Sequence, residues 1–366
     1  MYLKEKCGFI PVVNALLIPI YEPTEKVLPF LKEFQKEDFD HFLVVDDGSG
    51  ESYRPIFDSI AAETVFPVHS YPGNKGKGHA LKEGITLLLK QYPELDTIVT
   101  ADGDGQHLRK DILRVSSKAK ECPSAVILGV RDFSLAPKKS ASGNKWSARY
   151  FFLATQRKVS DCQTGLRALP KDSFDMALHT YGERFDYEMN FLLPASREYG
   201  VKEVVIETVY ENNNEGTHFR PVADSLLIMR TPIAYILVGV TSFLIDILAF
   251  YLFARFVFVN ADTDVLDLLY ASLCARAVSF PYNYILLGTV VFHHKRIFHY
   301  SFYKYFVLAA TSVLTSFALT YLFTRFWPAA FPVKVLVSIA LGIITYFINL
   351  MITFANRKFG RKKTLH

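Results

Sequence analysis

The sequence is poor in the features that mark disulfide-stapled, metal-cluster or nucleic-acid-binding proteins. It has only four cysteines in 366 residues, and no two stand in a CxxC pair, so we expect reduced thiols without a disulfide framework or a cysteine metal site. The formal net charge is only +5, too small to indicate a nucleic-acid partner. The first residues lack an apolar run followed by a cleavage site, so we expect no signal peptide and a cytoplasmic N-terminal half.

Apolar residues are distributed unevenly along the chain. Up to about residue 221, charged and apolar segments alternate as in a soluble protein, whereas the later part is mostly apolar. Four segments there each hold about the 20 apolar residues that cross a hydrocarbon core, and they lack the polar stripe of a soluble bundle helix. We therefore expect a soluble domain over 1–225 and a membrane domain over 226–366. The expected spans are 232–258, 266–292, 304–326 and 333–355.

The charges between these segments predict an orientation. The loop after the second segment, HHKRIFHYSFYK, and the tail, NRKFGRKK, are basic, whereas the first loop, NADTDVLD, is acidic. Basic loops stay on the cytoplasmic side of a membrane. We therefore expect a multi-pass protein of the cell membrane whose soluble domain and C-terminus are both cytoplasmic.

Two ionisable residues lie inside the apolar segments. Asp246 and Arg276 fall near mid-depth of two antiparallel spans. Each is costly in lipid and should face the interior of a bundle, so we expect the two to pair. A purely structural bridge and a role in a lipid pathway both stay open.

Short apolar runs in the first half of the chain alternate with helical stretches. Such unbroken runs predict an α/β fold with a mainly parallel sheet that is covered on both faces. Ligands of these sheets bind beyond the carboxyl ends of the strands. The runs cover residues 13–20, 41–47, 64–70, 96–102 and 125–130.

Acidic residues follow three of these runs. Glu22 follows the first, Asp46 and Asp47 end the second, and Asp102 and Asp104 end the fourth, in TADGDGQH. Carboxylates crowded along one edge of a sheet repel each other unless a cation compensates, and hard oxygen ligands favour Mg2+ or Mn2+. An ordinary Asp-Gly turn is the alternative reading of TADGDGQH.

The segment NKGKGHALKEG, residues 74–84, offers a glycine-lined backbone at the start of a predicted helix. It is not a P-loop, because the spacing of that motif fails. Lys75 and Lys77 at a helix N-terminus can hold a diphosphate. A solvated basic helix start would show the same two residues.

Together these motifs resemble glycosyltransferase family 2. PIYEP, VVDDGSG, NKGKGHALKEGI, ADGDGQH, LGVRD and DCQTGLRALP occur in that family's order, and they look most like its dolichyl-phosphate mannose synthases and bacterial polyprenyl-phosphate glycosyltransferases. The later part, with YILVGVTSFLIDILAF, resembles a GtrA-type membrane domain. The resemblance implies a Rossmann-like α/β GT-A fold followed by an all-α domain of four transmembrane helices.

The resemblance also implies roles for individual residues. It makes Asp104, Arg131, Gln163 and Arg220 the candidate catalytic residues, with the two arginines near donor or acceptor phosphates and Gln163 in the sugar or acceptor pocket. The family's metal motif often reads D-A-D-L-Q-H, and here both spacers are glycine. The implied nucleoside contacts are Pro19, Tyr21, Glu22 and Asp47, the diphosphate contacts are Lys75 and Lys77, and the ligands of Mg2+ or Mn2+ are Asp102, Asp104 and Gln106.

The implied reaction moves a sugar, with inversion, from a nucleotide-sugar to a polyprenyl phosphate such as undecaprenyl phosphate, for modification of cell-envelope glycans. UDP-glucose and UDP-N-acetylglucosamine are the donors that the family suggests. A lipid phosphate is already an anion, so it needs orientation rather than a strong general base. Membrane lipids are further expected partners, because residues 144–159 predict a basic amphipathic helix; an ordinary packing helix is the alternative.

Other functions stay open from the sequence. Four spans also suit a glycolipid flippase or transport protein with a regulatory glycosyltransferase-like domain. A glycosyltransferase that acts on a polysaccharide is a third reading, although the chain lacks the Q-x-x-R-W segment expected of processive synthases. The sequence leaves the oligomeric state open, a homo-oligomer included.

Overall fold

The structure of the chain is a computed structural model. It describes residues 12–131, 138–207, 230–258, 265–291, 301–324 and 330–349, together with Phe326 and Ile352. The chain divides into two units, Met1–Asp224 with Lys358–His366 and Ser225–Arg357. In its described residues the first unit is an α/β domain and the second is helical.

A mixed sheet of seven strands forms the centre of the first unit as far as it is described. The strands are β1 (Asn14–Ile20), β2 (His41–Asp46), β3 (Val68–Ser70), β4 (Thr97–Thr100), β5 (Val126–Arg131), β6 (Arg167–Pro170) and β7 (Val201–Ile206). Their order along the sheet is β3-β2-β1-β4-β6-β5-β7. Strand β6 runs antiparallel to both of its neighbours, and the other pairs are parallel. The expected mainly parallel α/β sheet is confirmed.

Helices cover both faces of this sheet. They are α1 (Val27–Lys32), α2 (Arg54–Glu63), α3 (Lys77–Gln91), α4 (Arg109–Glu121), α5 (Lys138–Thr155), α6 (Phe174–His179) and α7 (Asp186–Glu198). Every residue of β1 is buried. Leu16 and Ile18 of β1 share one apolar core with residues of α1, α2 and α4, whereas Leu17 between them contacts Gly84 of α3. Burial on both faces explains why the run in β1 is unbroken rather than alternating.

Strand β1 is the point at which the order of the sheet reverses. The chain adds β2 and β3 on one side of β1 and then places β4 on the other side. The loops that leave the carboxyl ends of β1 and β4 therefore diverge, and such a switch point forms the crevice in which open α/β sheets bind ligands. The fold thus selects one edge of the sheet for the candidate site.

The described part of the second unit contains four long helices. They overlap the four predicted spans and are α8 (Arg230–Phe256), α9 (Val265–Leu286), α10 (Ser301–Thr324) and α11 (Ala330–Ile348). Among the described residues, one stretch, Ile233–Phe253, is long and apolar enough to cross a membrane, with a mean hydropathy of 2.3. Ile339–Ile348 is a shorter apolar helical stretch. Four membrane crossings therefore stay a prediction.

The predicted pair in this unit is confirmed, but the expectation that both residues face the interior of a bundle is wrong for Arg276, whose side chain is 62% exposed. An Arg276 Nη2 atom of α9 lies 3.3 Å from Asp246 Oδ2 of α8. Ser279, one turn further along α9, donates a hydrogen bond of 2.6 Å to Asp246 Oδ1. Both oxygens of Asp246 thus have a partner on the neighbouring helix, which fixes the register of α8 against α9.

Candidate active site

The acidic residues singled out in the sequence lie at the switch-point edge of the sheet. Glu22 follows β1, Asp47 follows β2, and Asp102 and Asp104 follow β4. Because these strands are parallel neighbours, their carboxyl ends open on the same edge. The two acidic loops there, after β2 and after β4, have very different surroundings.

In the loop after β2, Asp47 is saturated by hydrogen bonds from the protein itself. It accepts 2.6 Å from the Tyr71 hydroxyl and 3.2 Å from Asn74 Nδ2. The backbone N–H groups of Lys75 and Gly76 also donate to it, at 3.0 Å and 2.9 Å. Asp47 is only 3% exposed. Asp47 therefore supplies the negative charge that the N–H groups at the start of α3 bind. A contact between Asp47 and a nucleoside stays a prediction.

Close backbone packing holds the same loop in place. Gly48 has a φ of +68°, and a Cβ on it would lie 2.2 Å from the carbonyl carbon of Gly73. Gly76 has a φ of +105°, and a Cβ there would lie 2.4 Å from the carbonyl oxygen of Glu183. Only glycine meets both the positive φ and the contact. These glycines fix the backbone that leads into α3.

In the loop after β4, the carboxylates meet a side-chain cation. Lys77 Nζ, at the first residue of α3, lies 2.5 Å from Asp102 Oδ1 and 2.6 Å from Glu188 Oε1 of α7. His107 Nε2 lies 3.4 Å from Asp102 Oδ2. Burial raises the pKa of Asp102, but the charges and hydrogen bonds of Lys77 and His107 together outweigh it and hold that pKa well below its usual value. Asp102 is therefore ionised.

Asp104 shows the opposite shift. Burial and the neighbouring charge of Asp102 raise the pKa of Asp104. The hydrogen bond of 3.0 Å that Asp104 accepts from the Gln106 backbone N–H lowers this pKa, but by less. His107 is 3% exposed, and its Nδ1 atom has no hydrogen-bond partner. The loop after β4 thus holds more negative charge than the surrounding cations neutralise.

The segment DCQTG, residues 161–165, packs against the loop after β4. A Cβ on Gly165 would lie 2.1 Å from Asp102 Oδ1, so the carboxylate packs directly on the glycine. The Thr100 hydroxyl donates 2.9 Å to the Gly165 carbonyl. Arg167, at the start of β6, donates to the carbonyl oxygens of Cys162, Thr164 and Glu188 and is 4% exposed. Arg167 therefore fixes this segment and the first turn of α7 beside the acidic pair.

Other predicted residues have varied surroundings. Pro19 lies within β1, one residue before the strand ends. The Glu22 backbone N–H donates a hydrogen bond of 2.8 Å to Ser49 Oγ. Glu22 has a φ of +46°, an uncommon conformation for a residue with a side chain. A hydrogen bond with Glu22, together with burial, raises the pKa of Tyr21. Lys75 Nζ lies 4.8 Å from the centre of the Tyr71 ring.

The predicted phosphate and acceptor residues are only partly described. Arg131, at the end of β5, forms a two-pronged ion pair with Asp161, at 2.6 Å from Nε and 3.1 Å from Nη2. The Gln163 backbone N–H donates 3.1 Å to the same carboxylate. Asp161 thus ties two predicted residues together. Arg220 lies outside the described residues.

The segment ERFDYEM offers Asp186 and Glu188 as residues that could help position the sugar, and acids at a helix N-terminus explain the pair equally well. The structure puts the Glu188 carboxylate on Lys77. Sequence reasoning missed Gly165 as a member of the site. Gly165 belongs to the motif DCQTGLRALP, which supplied the available signal. Neither contact is local, because each joins segments more than 60 residues apart.

The described residues supply some, but not all, of the ligands that a divalent cation needs. Among the described residues, no three carboxylate, imidazole or thiolate groups are close enough to form a metal site by themselves. However, Asp102 and Asp104 supply hard oxygen atoms. Burial, together with the charge of Asp102, raises the pKa of Asp104, and a cation there would stabilise its ionised form. Mg2+ is usually held by one or two carboxylates, with waters and substrate phosphates as the other ligands. Two aspartates fit that pattern, so the residues fit a metal that is shared with a phosphate substrate.

Two family descriptions match the chain. Residues 10–175 match "Glycosyl transferase family 2", and residues 234–354 match "GtrA/DPMS, transmembrane domain". The first match contains every described candidate residue at the switch-point edge except Glu188. The second contains Asp246 and Arg276.

Similar proteins share the first of these regions. The chain is 26% identical to "Glycosyltransferase AglJ" of Haloferax volcanii, over 60% of this chain and 70% of that protein. It is 28% identical to "UDP-N-acetylglucosamine--dolichyl-phosphate N-acetylglucosaminyltransferase" of Methanococcus voltae, over 53% of this chain and 85% of that protein. A solved structure of glucosyl-3-phosphoglycerate synthase from Mycobacterium tuberculosis, in complex with Mn2+, UDP and glucosyl-3-phosphoglycerate, has a TM-score of 0.46 and 15% identity, and covers 61% of this chain and 78% of that one.

Proposed function

Since the chain is a family 2 glycosyltransferase with a GtrA/DPMS transmembrane domain, we propose that it transfers a sugar from a nucleotide-sugar to a polyprenyl phosphate. The reaction takes place at the cytoplasmic face of the membrane, inverts the anomeric centre and needs Mg2+ or Mn2+. UDP-N-acetylglucosamine and UDP-glucose are the first donors to test. The product is a glycolipid for cell-envelope glycans.

The acceptor is inferred from two independent features. The relative from Methanococcus voltae is named for a dolichyl-phosphate acceptor and a UDP-N-acetylglucosamine donor. The transmembrane domain of this chain gives it access to such a lipid.

The main support for the chemistry is the pair Asp102 and Asp104 at the carboxyl end of β4, with Lys77 beside it at the start of α3. A divalent cation on the two aspartates would stabilise the charge that develops on the leaving diphosphate. Lys75 and Lys77 would hold that diphosphate, and Gln106 would be a further ligand of the cation. Arg131, Arg220 and Gln163 orient the acceptor phosphate and the sugar, and Pro19, Tyr21, Glu22 and Asp47 surround the nucleoside.

No strong general base is required in this reaction. A phosphate acceptor is an anion at neutral pH, so the protein has only to hold its oxygen in line with the anomeric carbon. A single in-line attack inverts that carbon. An α-linked product from a UDP-α-sugar would contradict the inverting mechanism.

The first experiment is a donor and acceptor screen with the full-length protein in lipid nanodiscs. Undecaprenyl phosphate, dolichyl phosphate and a soluble polysaccharide are each offered with UDP-glucose and UDP-N-acetylglucosamine, in MnCl2 or in EDTA. We expect a glycolipid from a lipid phosphate only when metal is present. Product in full yield in EDTA, or product only on the polysaccharide, would overturn the proposal.

The second experiment is a matched pair of variants. Asp104→Asn removes a proposed ligand and is expected to lower the rate of glycolipid formation by about 100-fold or more. Asp58→Asn makes the same change on the exposed side of α2 and should retain the rate of the unmodified protein. Equal rates for the two variants would exclude Asp104 from the chemistry.

Helix α5 offers a surface for the lipid. Phe151 and Ala154 are fully buried, whereas Phe152 and Leu153 between them are 38% and 46% exposed. Exposed apolar side chains on a helix with basic residues are typical of membrane-surface helices. We expect Phe152→Ser with Leu153→Ser to raise the KM for a long-chain polyprenyl phosphate but not for a short, water-soluble analogue; equal effects on both acceptors would exclude this role.

A further inference from the structure

The side-chain ammonium of Lys77 occupies an unusual position for a residue that is expected to bind a diphosphate. It lies 2.5 Å from Asp102 Oδ1 and 2.6 Å from Glu188 Oε1, and only 17% of its side chain is exposed. Its ion pairs are therefore with carboxylates on two other elements, the β4 loop and α7. One of those carboxylates is a proposed metal ligand.

The backbone at Lys77 cannot move away from this position. The N–H groups of Lys75 and Gly76, just before it, are held by the buried Asp47. On the other side, a Cβ on Gly78 would lie 2.6 Å from Tyr187 Cβ of α7. The start of α3 is thus held from both sides, and only the flexible side chain of Lys77 is free to change partner.

A lysine ammonium and a divalent cation compete for the same oxygen. Asp102 Oδ1 faces Lys77, and Asp102 also packs on Gly165, so the carboxylate has no room to turn towards Gly165. Mg2+ or Mn2+ on Asp102 would place two positive charges beside the ammonium. Like charges at such a distance repel each other strongly where water is largely excluded.

From this geometry we propose that Lys77 is the resident counter-ion of the metal site and lowers the affinity of the site for free metal ions. When a metal ion arrives with the donor diphosphate, Lys77 leaves Asp102 and pairs with the diphosphate. Glu188 keeps the ammonium beside the site during this exchange. The inference rests on the proposed metal-dependent function, and it adds that metal and donor bind cooperatively because of one side chain.

The consequence is a coupling between two ligands. If Lys77 must leave Asp102 for metal to bind, and a diphosphate gives it a new partner, then each ligand raises the affinity for the other by the same factor. Substituting Lys77 should therefore have two opposite effects. Mn2+ alone should bind more tightly, and the gain in Mn2+ affinity that UDP provides should shrink.

The test is a titration of Mn2+ into the full-length protein in nanodiscs, with free Mn2+ measured by its electron paramagnetic resonance signal, with and without UDP. For Lys77→Met we expect the Kd for Mn2+ alone to fall by about tenfold, within the usual range of coupling between sites. UDP should then improve Mn2+ binding by a smaller factor than in the unmodified protein. An unchanged or weaker affinity for Mn2+ alone in Lys77→Met would overturn the inference.

Three further variants make the result specific. Lys82→Met removes another α3 lysine, whose partner is Glu183 at 2.8 Å, and should retain the unmodified Mn2+ affinity. Glu188→Gln leaves Lys77 with Asp102 as its remaining carboxylate and should weaken Mn2+ binding. Lys77→Met with Glu188→Gln also removes the α7 carboxylate that would otherwise lose Lys77 as its partner. This double variant controls for a folding defect in Lys77→Met, and it should still bind Mn2+ more tightly than the unmodified protein.

The same titration separates this inference from the proposed function. If the unmodified protein binds no Mn2+ even with UDP, the proposed metal site is wrong and the inference fails with it. If the unmodified protein binds Mn2+ and loses it in Asp104→Asn, but Lys77→Met and the double variant do not tighten the binding, only the role of Lys77 is wrong.

Discussion

The two acidic loops at the switch-point edge look alike in the sequence and differ in the structure. After β2, the buried carboxylate of Asp47 accepts hydrogen bonds from two side chains and two backbone N–H groups. After β4, Asp102 and Asp104 repel each other, and the pKa of Asp104 is raised. The carboxylate of Asp47 stabilises the folded loop, whereas Asp102 and Asp104 carry negative charge that a bound cation can neutralise.

The difference comes from the segment that packs on each loop. Asp47 meets residues 71–76, whose backbone turns its N–H groups inward at the start of α3. Asp102 meets Gly165, which has no side chain and so offers no side-chain donor. A buried anion needs donors or a cation. Asp102 has Lys77 and His107 beside it, whereas Asp104 accepts a hydrogen bond from the Gln106 backbone N–H but pairs with no cation among the described residues.

The largest expected effect is loss of stability in Asp47→Ala. Truncation leaves the buried N–H group of Gly76, and the partly buried Tyr71 hydroxyl and Lys75 N–H group, without this acceptor. A buried group without a partner costs about 1–3 kcal/mol and a partly buried one less, so we expect a loss of about 2–4 kcal/mol and a clearly lower unfolding temperature. Thermal unfolding of the purified protein in nanodiscs measures it.

The control for this prediction is Asp58→Ala on the exposed side of α2. An exposed carboxylate on a helix surface should change stability by no more than about 0.5 kcal/mol. If Asp47→Ala were as stable as the control and lost only donor affinity, Asp47 would be a ligand-binding group like Asp104, and the contrast between the loops would disappear.

The next effect compares two glycines of the loop after β2. Gly48 and Gly50 both have positive φ values, +68° and +90°, but only Gly48 would bring a Cβ against backbone, at 2.2 Å from Gly73. Gly50→Ala should cost about 1 kcal/mol for the conformation alone. Gly48→Ala should cost about 2–3 kcal/mol, because overpacking adds to that strain.

Unfolding midpoints of the two alanine variants, measured side by side, check this comparison. Gly50 has a φ of +90° and a ψ of 173°, a conformation that side chains rarely adopt, so its loss measures backbone strain without a contact. A larger loss at Gly48 therefore reports the contact with residue 73, and a smaller loss at Gly48 than at Gly50 would show that the loop and residue 73 do not press together as the structure has them.

A smaller effect is expected on the β4 side, in Gly165→Ala. The new Cβ would lie 2.1 Å from Asp102 Oδ1, so the carboxylate has to turn away from its place. Displacing a catalytic group by about 1 Å can cost up to about 100-fold in rate, and we expect a loss of roughly tenfold with little change in unfolding temperature. Initial rates of glycolipid formation measure it.

The double variant Gly165→Ala with Asp102→Ala tests the cause. If the added methyl group acts by displacing Asp102, it should have little further effect once that carboxylate is gone. Additive losses in the two single variants would place the effect of Gly165 somewhere other than at Asp102.

The fold was largely predictable from local patterns, and the site only in part. The runs that became β1, β2, β4 and β5 are apolar and continuous, because both faces of these strands are buried. Strand β6 is only Arg167–Pro170, and β7 has mostly half-buried or exposed residues, so neither gave a clear pattern. The acids at the strand ends were predicted, since the sheet places them together.

What the sequence could not supply is the partner of each acid. The contact between Lys77 and Glu188 joins the starts of two helices, and the contact between Asp47 and Tyr71 joins two loops. Both depend on tertiary packing. The motif order therefore predicted which residues lie together at the switch-point edge of the sheet. It did not predict that Asp47 accepts hydrogen bonds from backbone N–H groups while Asp104 lacks a counter-charge.

The smallest expected effect concerns the stability of metal-free Asp104→Asn. Burial and the charge of Asp102 raise the pKa of Asp104 above its ordinary 3.8, so the folded protein holds this proton more tightly than the unfolded chain does. The contribution of Asp104 to folding is therefore most favourable below pH 3.8 and is lost as the pH rises through the raised value. At pH 7 the ionised carboxylate opposes folding, and asparagine removes that opposition.

In EDTA at pH 7, Asp104→Asn should therefore unfold at the same temperature as the unmodified protein or slightly above it, and the difference should shrink towards pH 4. In excess Mn2+ with UDP, the unmodified protein should unfold at the higher temperature. Molecules that bind only the folded protein stabilise it, and the variant has lost a carboxylate that binds the metal. For Asp47 the analogous substitution should destabilise the protein in both conditions. If Asp104→Asn were strongly destabilised in EDTA, both acidic loops would be structural, and the proposed cation would have to bind elsewhere.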